Sequence, residues 1–94
     1  MDRWTEIRTA YQVAKFGTVS AAADNLGIHR ATVIRHIDAL EAELGGKVFQ
    51  RHARGYTVTE VGEDLMRVAQ RTEEHFDGLA GRTRGRAGEI TGEL

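Results

Sequence analysis

Four arginines and two histidines crowd one stretch of this 94-residue chain: His29, Arg30, Arg35, Arg51, His52 and Arg54. A guanidinium is a rigid fork of N–H donors that fits two acceptors at once, on a phosphate or on the O6/N7 edge of a guanine. Around the first three stand Ala31, Thr32 and Ile34. Other chemistry is poorly served. The four histidines lie 7, 16 and 23 residues apart, so no two sit one helical turn apart, and there is no cysteine; a metal site is not expected. No Ser-His-Asp constellation or glycine-rich phosphate loop stands out, so no enzyme is expected either.

The segment that must position the first cluster is SAAADNLGIHRATVIRHIDALEAELG, residues 20–45. It reads as two helices joined at Gly27, where a positive φ is cheap only for glycine. The spacing Ala-x-x-Leu-Gly-Ile-x4-Val-x3-Ile suits a helix-turn-helix. Ala23 is the small residue where the helices cross, Leu26 and Ile28 flank the corner, and Val33 and Ile37 pin the second helix. With those positions facing inward, His29, Arg30, Ala31, Thr32, Ile34, Arg35 and Asp38 remain outward. There they could meet base edges and phosphates in a major groove. Arg30 suits a guanine edge and Arg35 a phosphate. Ile34 could pack at the core rim or touch a thymine methyl, and Thr32 could be a contact or a plain surface residue. His36, amid the apolar stripe, reads as a packed or capping histidine.

Elsewhere the periodicity predicts a helix over 3–16, with Trp4, Ile7, Tyr11 and Ala14 on its inner face. A short second helix follows at Ala21–Leu26, capped by Thr18 or Ser20. The third runs to about Leu44, with Val33, Ile37, Leu40 and Leu44 inward, and Gly45-Gly46 ends it. KVFQRHARGYTVT, residues 47–59, changes to strand-like Val48-Phe49 and Tyr56–Val58 around a polar turn with Gly55, as in a two-stranded wing. Arg51, His52 and Arg54 lie on it, where arginine is drawn to phosphates or a narrow minor groove; Arg51 could instead brace the hairpin through a buried pair. Thr59 would cap a fourth helix, to about Ala80, with a stripe of Val61, Leu65, Val68, Thr72, Phe76 and Leu79. Little of the chain is left to cover that stripe. GRTRGRAGEITGEL, residues 81–94, holds four Gly and three Arg and reads as a flexible hinge.

Bulk composition sets limits. The length suits one domain, with no run of about 18 apolar residues for a membrane span. The start, MDRWTEIR, does not read as a signal peptide, so a cytoplasmic protein is expected. The formal net charge of −1 gives no bulk support for nucleic-acid binding. The distribution does: residues 1–58 carry eight Lys/Arg against six Asp/Glu, and residues 59–94 five against eight.

GTVSAAADNLGIHRATVIRHIDALEAELGGKVFQR at 17–51 and RGYTVTEVGEDLM at 54–66 resemble the N-terminal DNA-binding domain of LysR-type transcriptional regulators. That family shows G-S-F-x-x-AA-x-x-L, then S-x-x-x-S-x-x-I-x-x-LE-x-x-LG, then LF-x-R and LT-x-x-G. The resemblance covers roughly residues 3–80. It implies a mainly α fold: a winged helix-turn-helix over 1–58, a linker helix over 59–80 that dimerises through the stripe just named, and a hinge over 81–94. The hinge would lead to an effector-binding domain that this chain lacks, EITGEL being the start of its first strand; the chain would be a fragment of a longer regulator. The implied partner is double-stranded DNA, an imperfect palindrome with half-sites of the T-N11-A kind, bound by a homodimer, with tetramers open to the full-length protein. No cofactor is implied for this chain, and a small-molecule effector for the whole. The sequence departs from the pattern at His29-Arg30-Ala31, where Ser-Gln-Pro or Ser-Gln-Ser is usual, and at Ile34, where serine is common. Docking geometry should carry over, but not base preference, and His29 should cap its helix less well than serine. Two other readings stay open: a winged-helix protein-interaction module, which the basic cluster disfavours, and a DNA-binding regulator of another winged-helix family.

Overall fold

The computed structural model describes residues 3–92. Helices α1 (Arg3–Phe16), α2 (Val19–Leu26) and α3 (Arg30–Leu44) precede strands β1 (Phe49–His52) and β2 (Gly55–Val58), and helix α4 (Glu60–Gly92) ends the chain. The strands pair antiparallel, with Phe49 opposite Val58 and Arg51 opposite Tyr56. This is the expected winged helix-turn-helix followed by a long helix.

Each junction has a local cause. Thr18 Oγ1 accepts from Ala21 N at 3.1 Å, which starts α2 two residues earlier than the sequence suggests. Gly27 takes φ 69° and closes α2, and Ile28 N bonds back to Ala23 O. His29 makes no side-chain cap bond among the described residues. Even so, Thr32 N and Val33 N both reach His29 O, so the first turn of α3 is closed by backbone alone. Gly45, at φ 73°, ends α3. Thr59 Oγ1 accepts from Gly62 N at 3.0 Å and donates to Lys47 O at 2.6 Å. One hydroxyl thus caps α4 and ties it to the loop before the wing.

Ala10, Val13, Ala22, Val33, Ile37, Leu40, Val48 and Phe49 form the core, all at most 2% exposed. Two inner faces differ from expectation. On α1 the buried residues are Glu6, Ile7, Thr9, Ala10 and Val13, while Trp4 is 58% exposed. On α3, Leu44 is 49% exposed, and His36 and Glu41 are buried in its stead. Polar side chains can take such places when every buried group finds a partner, and none is left unpaired among the described residues.

The fourth helix also departs from expectation. It does not stop near Ala80 but continues through the glycine-rich segment to Gly92, so the expected hinge is helical as far as it is described. EITGEL does not begin a strand: residues 89–92 are helix, and Glu93 and Leu94 lie outside the described residues. The physical reason is the lack of any proline. Glycine in a helix costs only about 1 kcal/mol relative to alanine and removes no backbone bond. Thr83 Oγ1 also bonds back to Leu79 O.

Candidate nucleic-acid interface

The N-terminal half of α3 and the wing form the outward basic region. His29, Arg30, Ala31 and Arg35 are exposed, and Thr32 is half-buried. Arg35 Nη2 lies 3.5 Å from Thr32 Oγ1, at the limit of a hydrogen bond, and no carboxylate pairs with Arg35 among the described residues. Arg30 has no ion-pair partner among the described residues either. Ile34 is half-buried and packs against the core, so it stands at the rim of this surface.

On the wing, Arg54 sits in the turn between β1 and β2, exposed and without a carboxylate partner among the described residues. His52 Nε2 lies 3.1 Å from Thr57 Oγ1 across the hairpin. Arg51 is engaged differently. Its Nη2 donates to Asp38 Oδ1 at 2.5 Å and to Glu41 Oε1 at 2.9 Å, and its guanidinium stands 5.4 Å from the Tyr56 ring centre. The hydrogen bond to Asp38, aided by the charges of Tyr56, Asp38 and Glu41, raises its pKa further against the opposing effect of burial. Glu41 is itself buried, and its Oε2 accepts from Val48 N at 2.8 Å. Sequence reasoning had Asp38 among the outward residues and did not assign Glu41. The signal was present: Asp38 and Glu41 lie three apart on a helix, hence on one face, facing a basic strand.

The expected dimer stripe is split. Leu65 is 8% exposed and belongs to the core of its own chain, so it is withdrawn from that stripe. It docks α4 on the domain with Met66 and Ala69. Val61, Val68, Phe76 and Leu79 are 43%, 52%, 66% and 50% exposed, and Thr72 is exposed beside them. Sequence reasoning missed a groove of about 480 Å³ between α1 and α4, bordered by Trp4, Tyr11, Ala69, Thr72 and Phe76. Placing Trp4 and Tyr11 on the inner face of α1 hid it. Among the described residues, no cluster of His, Asp or Glu could hold a metal ion, and no helix is long and apolar enough to cross a membrane.

Known proteins share this architecture. The chain is 38% identical over 74 residues to the HTH-type transcriptional regulator GalR of Pseudomonas putida, covering 79% of this chain and 19% of that protein. It superposes on a crystal structure of a CbnR_DBD–DNA complex with a TM-score of 0.80 and 30% identity, covering 93% and 99% of the two chains. It also superposes on a BenM_DBD/catB site 1 DNA complex with a TM-score of 0.82 and 26% identity, covering 93% and 96%. The chain spans about a fifth to just over a third of the length of the curated relatives it matches. The family model for the bacterial regulatory helix-turn-helix protein, lysR family, matches residues 4–63, from α1 through the wing to the first turn of α4, and the chain belongs to that family.

Proposed function

We propose that this chain is the sequence-specific DNA-binding module of a bacterial LysR-type transcription regulator. The observation that carries the reading is the set of exposed arginines with no carboxylate partner among the described residues, Arg30 and Arg35 on α3 and Arg54 at the wing tip. A recognition helix enters the major groove by its N-terminal residues, and a wing beside it rides the backbone or the minor groove. Arg30 reads a base edge, with His29, Ala31 and Thr32 beside it. Arg35 and Arg54 meet phosphates, and His52 flanks Arg54. Ile34 contributes from the rim. The likeness to structures solved with DNA supports the same reading.

Two copies bind together in this proposal. The exposed residues of α4, Val61, Val68, Thr72, Phe76 and Leu79, meet the same face of a second copy, and the two recognition helices address an imperfect palindrome. In the full-length regulator an effector-binding domain would follow α4, its ligand a small molecule, its setting the cytoplasm. Selection of binding sites from random duplex DNA tests the reading. Enrichment of an imperfect palindrome is expected; a pool that stays random through the rounds would overturn it.

A further inference from the structure

Among the described residues, Arg51 is the basic residue of this region that two carboxylates of α3 hold, Asp38 and Glu41. The wing is also fixed on its other side, where Tyr56 N donates to Gly17 O at 2.9 Å. The two backbones approach closely there: a Cβ at Gly55 would come within 2.5 Å of Gly17 O. The hairpin is therefore gripped between the α1–α2 corner and the recognition helix. On the helix side Glu41 Oε2 accepts from Val48 N and Phe49 N at the base of the hairpin. Further along β1 the grip passes through the Arg51 side chain, with Tyr56 of the partner strand against the same guanidinium. A guanidinium held by two carboxylates has little positive potential left to offer a phosphate.

We propose that Arg51 is a positioning residue for DNA recognition: clamped to Asp38 and Glu41 of α3, it sets the angle of the wing so that Arg54 reaches the DNA backbone while Arg30 reads the groove. This rests on the DNA-binding reading above. Arg51 acts through Arg54 and makes no DNA contact of its own. Asp38 then has an unusual part. Removing an acid beside a DNA-binding surface should strengthen binding by simple electrostatics. Here it loosens the wing and weakens binding.

The test is a double-mutant cycle on the selected duplex, with affinity measured across a range of salt concentrations. Failure of the wild-type chain to bind any duplex would strike the DNA-binding reading itself and is seen before any variant is made. In the wild-type background, Arg54→Ala should lower the salt slope by about 0.9, the loss of one phosphate contact. In an Arg51→Met background the same change should cost at most about a third of its wild-type fold-loss. Arg51→Lys, which can still donate to both carboxylates, should restore most of the coupling. Asp38→Asn leaves the buried Glu41 and its backbone bonds in place and keeps the test decisive if Arg51→Met fails to fold. It should weaken binding and reduce the Arg54 contribution. Losses for Arg51→Met and Arg54→Ala that simply multiply would overturn the proposal, as would tighter binding by Asp38→Asn.

Discussion

Thr9 and His36 are joined by a 2.7 Å hydrogen bond between Oγ1 and Nδ1, buried where α1 crosses α3. The roles of the two atoms follow from the network. Thr9 Oγ1 donates its single proton to Thr5 O at 3.0 Å, so it must accept from Nδ1–H of the ring. Neutral His36 therefore carries its proton on Nδ1, and charging the ring would add a second proton, on Nε2, to a residue that is only 4% exposed. Burial lowers its pKa below the ordinary 6.5; Arg35 pushes the same way and Glu6 opposes.

The sign of the pH dependence follows. Between the ordinary value and the lowered one, the unfolded chain binds a proton at His36 that the folded chain does not, so folding stability rises with pH. Stability should be fully present above about pH 6.5 and fall as the pH drops below it, by at most about 1.4 kcal/mol per pH unit for one group. Urea denaturation between about pH 7.5 and 5.5 measures it. His36→Gln, neutral throughout and able to donate to Thr9, should show a flatter profile; an equally steep one would assign the effect to other groups.

Gly62 and Val48 set a second constraint. A Cβ at Gly62 would lie 2.1 Å from Val48 O, a backbone atom that also accepts from Thr59 N. Gly62→Ala should cost about 3 kcal/mol or more, because neither side can yield without breaking the junction of wing and α4. Gly81 offers the contrast: it is helical, exposed and has nothing within 4 Å of a built Cβ. Gly81→Ala should be neutral or stabilise by up to about 1 kcal/mol. Thermal denaturation of the two variants side by side checks both.

The helix-turn-helix was legible because its signals are local. Gly27 carries the positive φ, Ala22 and Ala23 permit the close crossing, and Val33 and Ile37 keep a clean helical period. The wing was legible from Gly55 and the strand-like residues around it. The inner face of α1 was not, because two of its buried members, Glu6 and Thr9, are polar. An apolar-periodicity reading passes over such residues and turns the face toward Trp4. Thr9 is held there by Thr5 O one turn back and by His36 on α3, a partner 27 residues away. The same holds at the candidate interface. Arg30 and Arg51 look alike in sequence, and only the fold shows that Arg51 meets two carboxylates 10 and 13 residues away while Arg30 meets none among the described residues. The continuation of α4 was missed because glycine content was weighed above the lack of proline.

Arg30 stands where glutamine is usual in the resembled pattern. Glutamine pairs best with adenine and arginine with guanine, so Arg30→Gln should change the preferred base at one position per half-site, by about 1–3 kcal/mol. Site selection run in parallel on both proteins reads it directly. An identical consensus would remove Arg30 from base reading.

Phe76 bears on assembly. It is 66% exposed on α4, at the border of the groove that Trp4 and Tyr11 form with the same helix. Val61, Val68 and Leu79 extend this apolar face along a helix whose inner contacts, Leu65, Met66 and Ala69, are already satisfied within the chain. Leaving such side chains in water forgoes roughly 1.5–3 kcal/mol for each large one. In the proposed dimer, a second copy related by a two-fold axis buries the face with one self-complementary contact. For such a dimer the consequence for DNA is one of effective concentration: once one recognition helix is seated, its partner would be held near the second half-site, and affinity would rise with no new kind of contact. Phe76→Asp places a charge in that contact. The variant should be mostly monomeric at micromolar concentration and should lose much of its affinity for a full palindrome. A single half-site should be bound about as before, since α3 and the wing are unchanged. Sedimentation equilibrium and titrations on the two duplexes measure both effects. A variant that stays dimeric and keeps full palindrome affinity would place the dimer contact elsewhere on the chain.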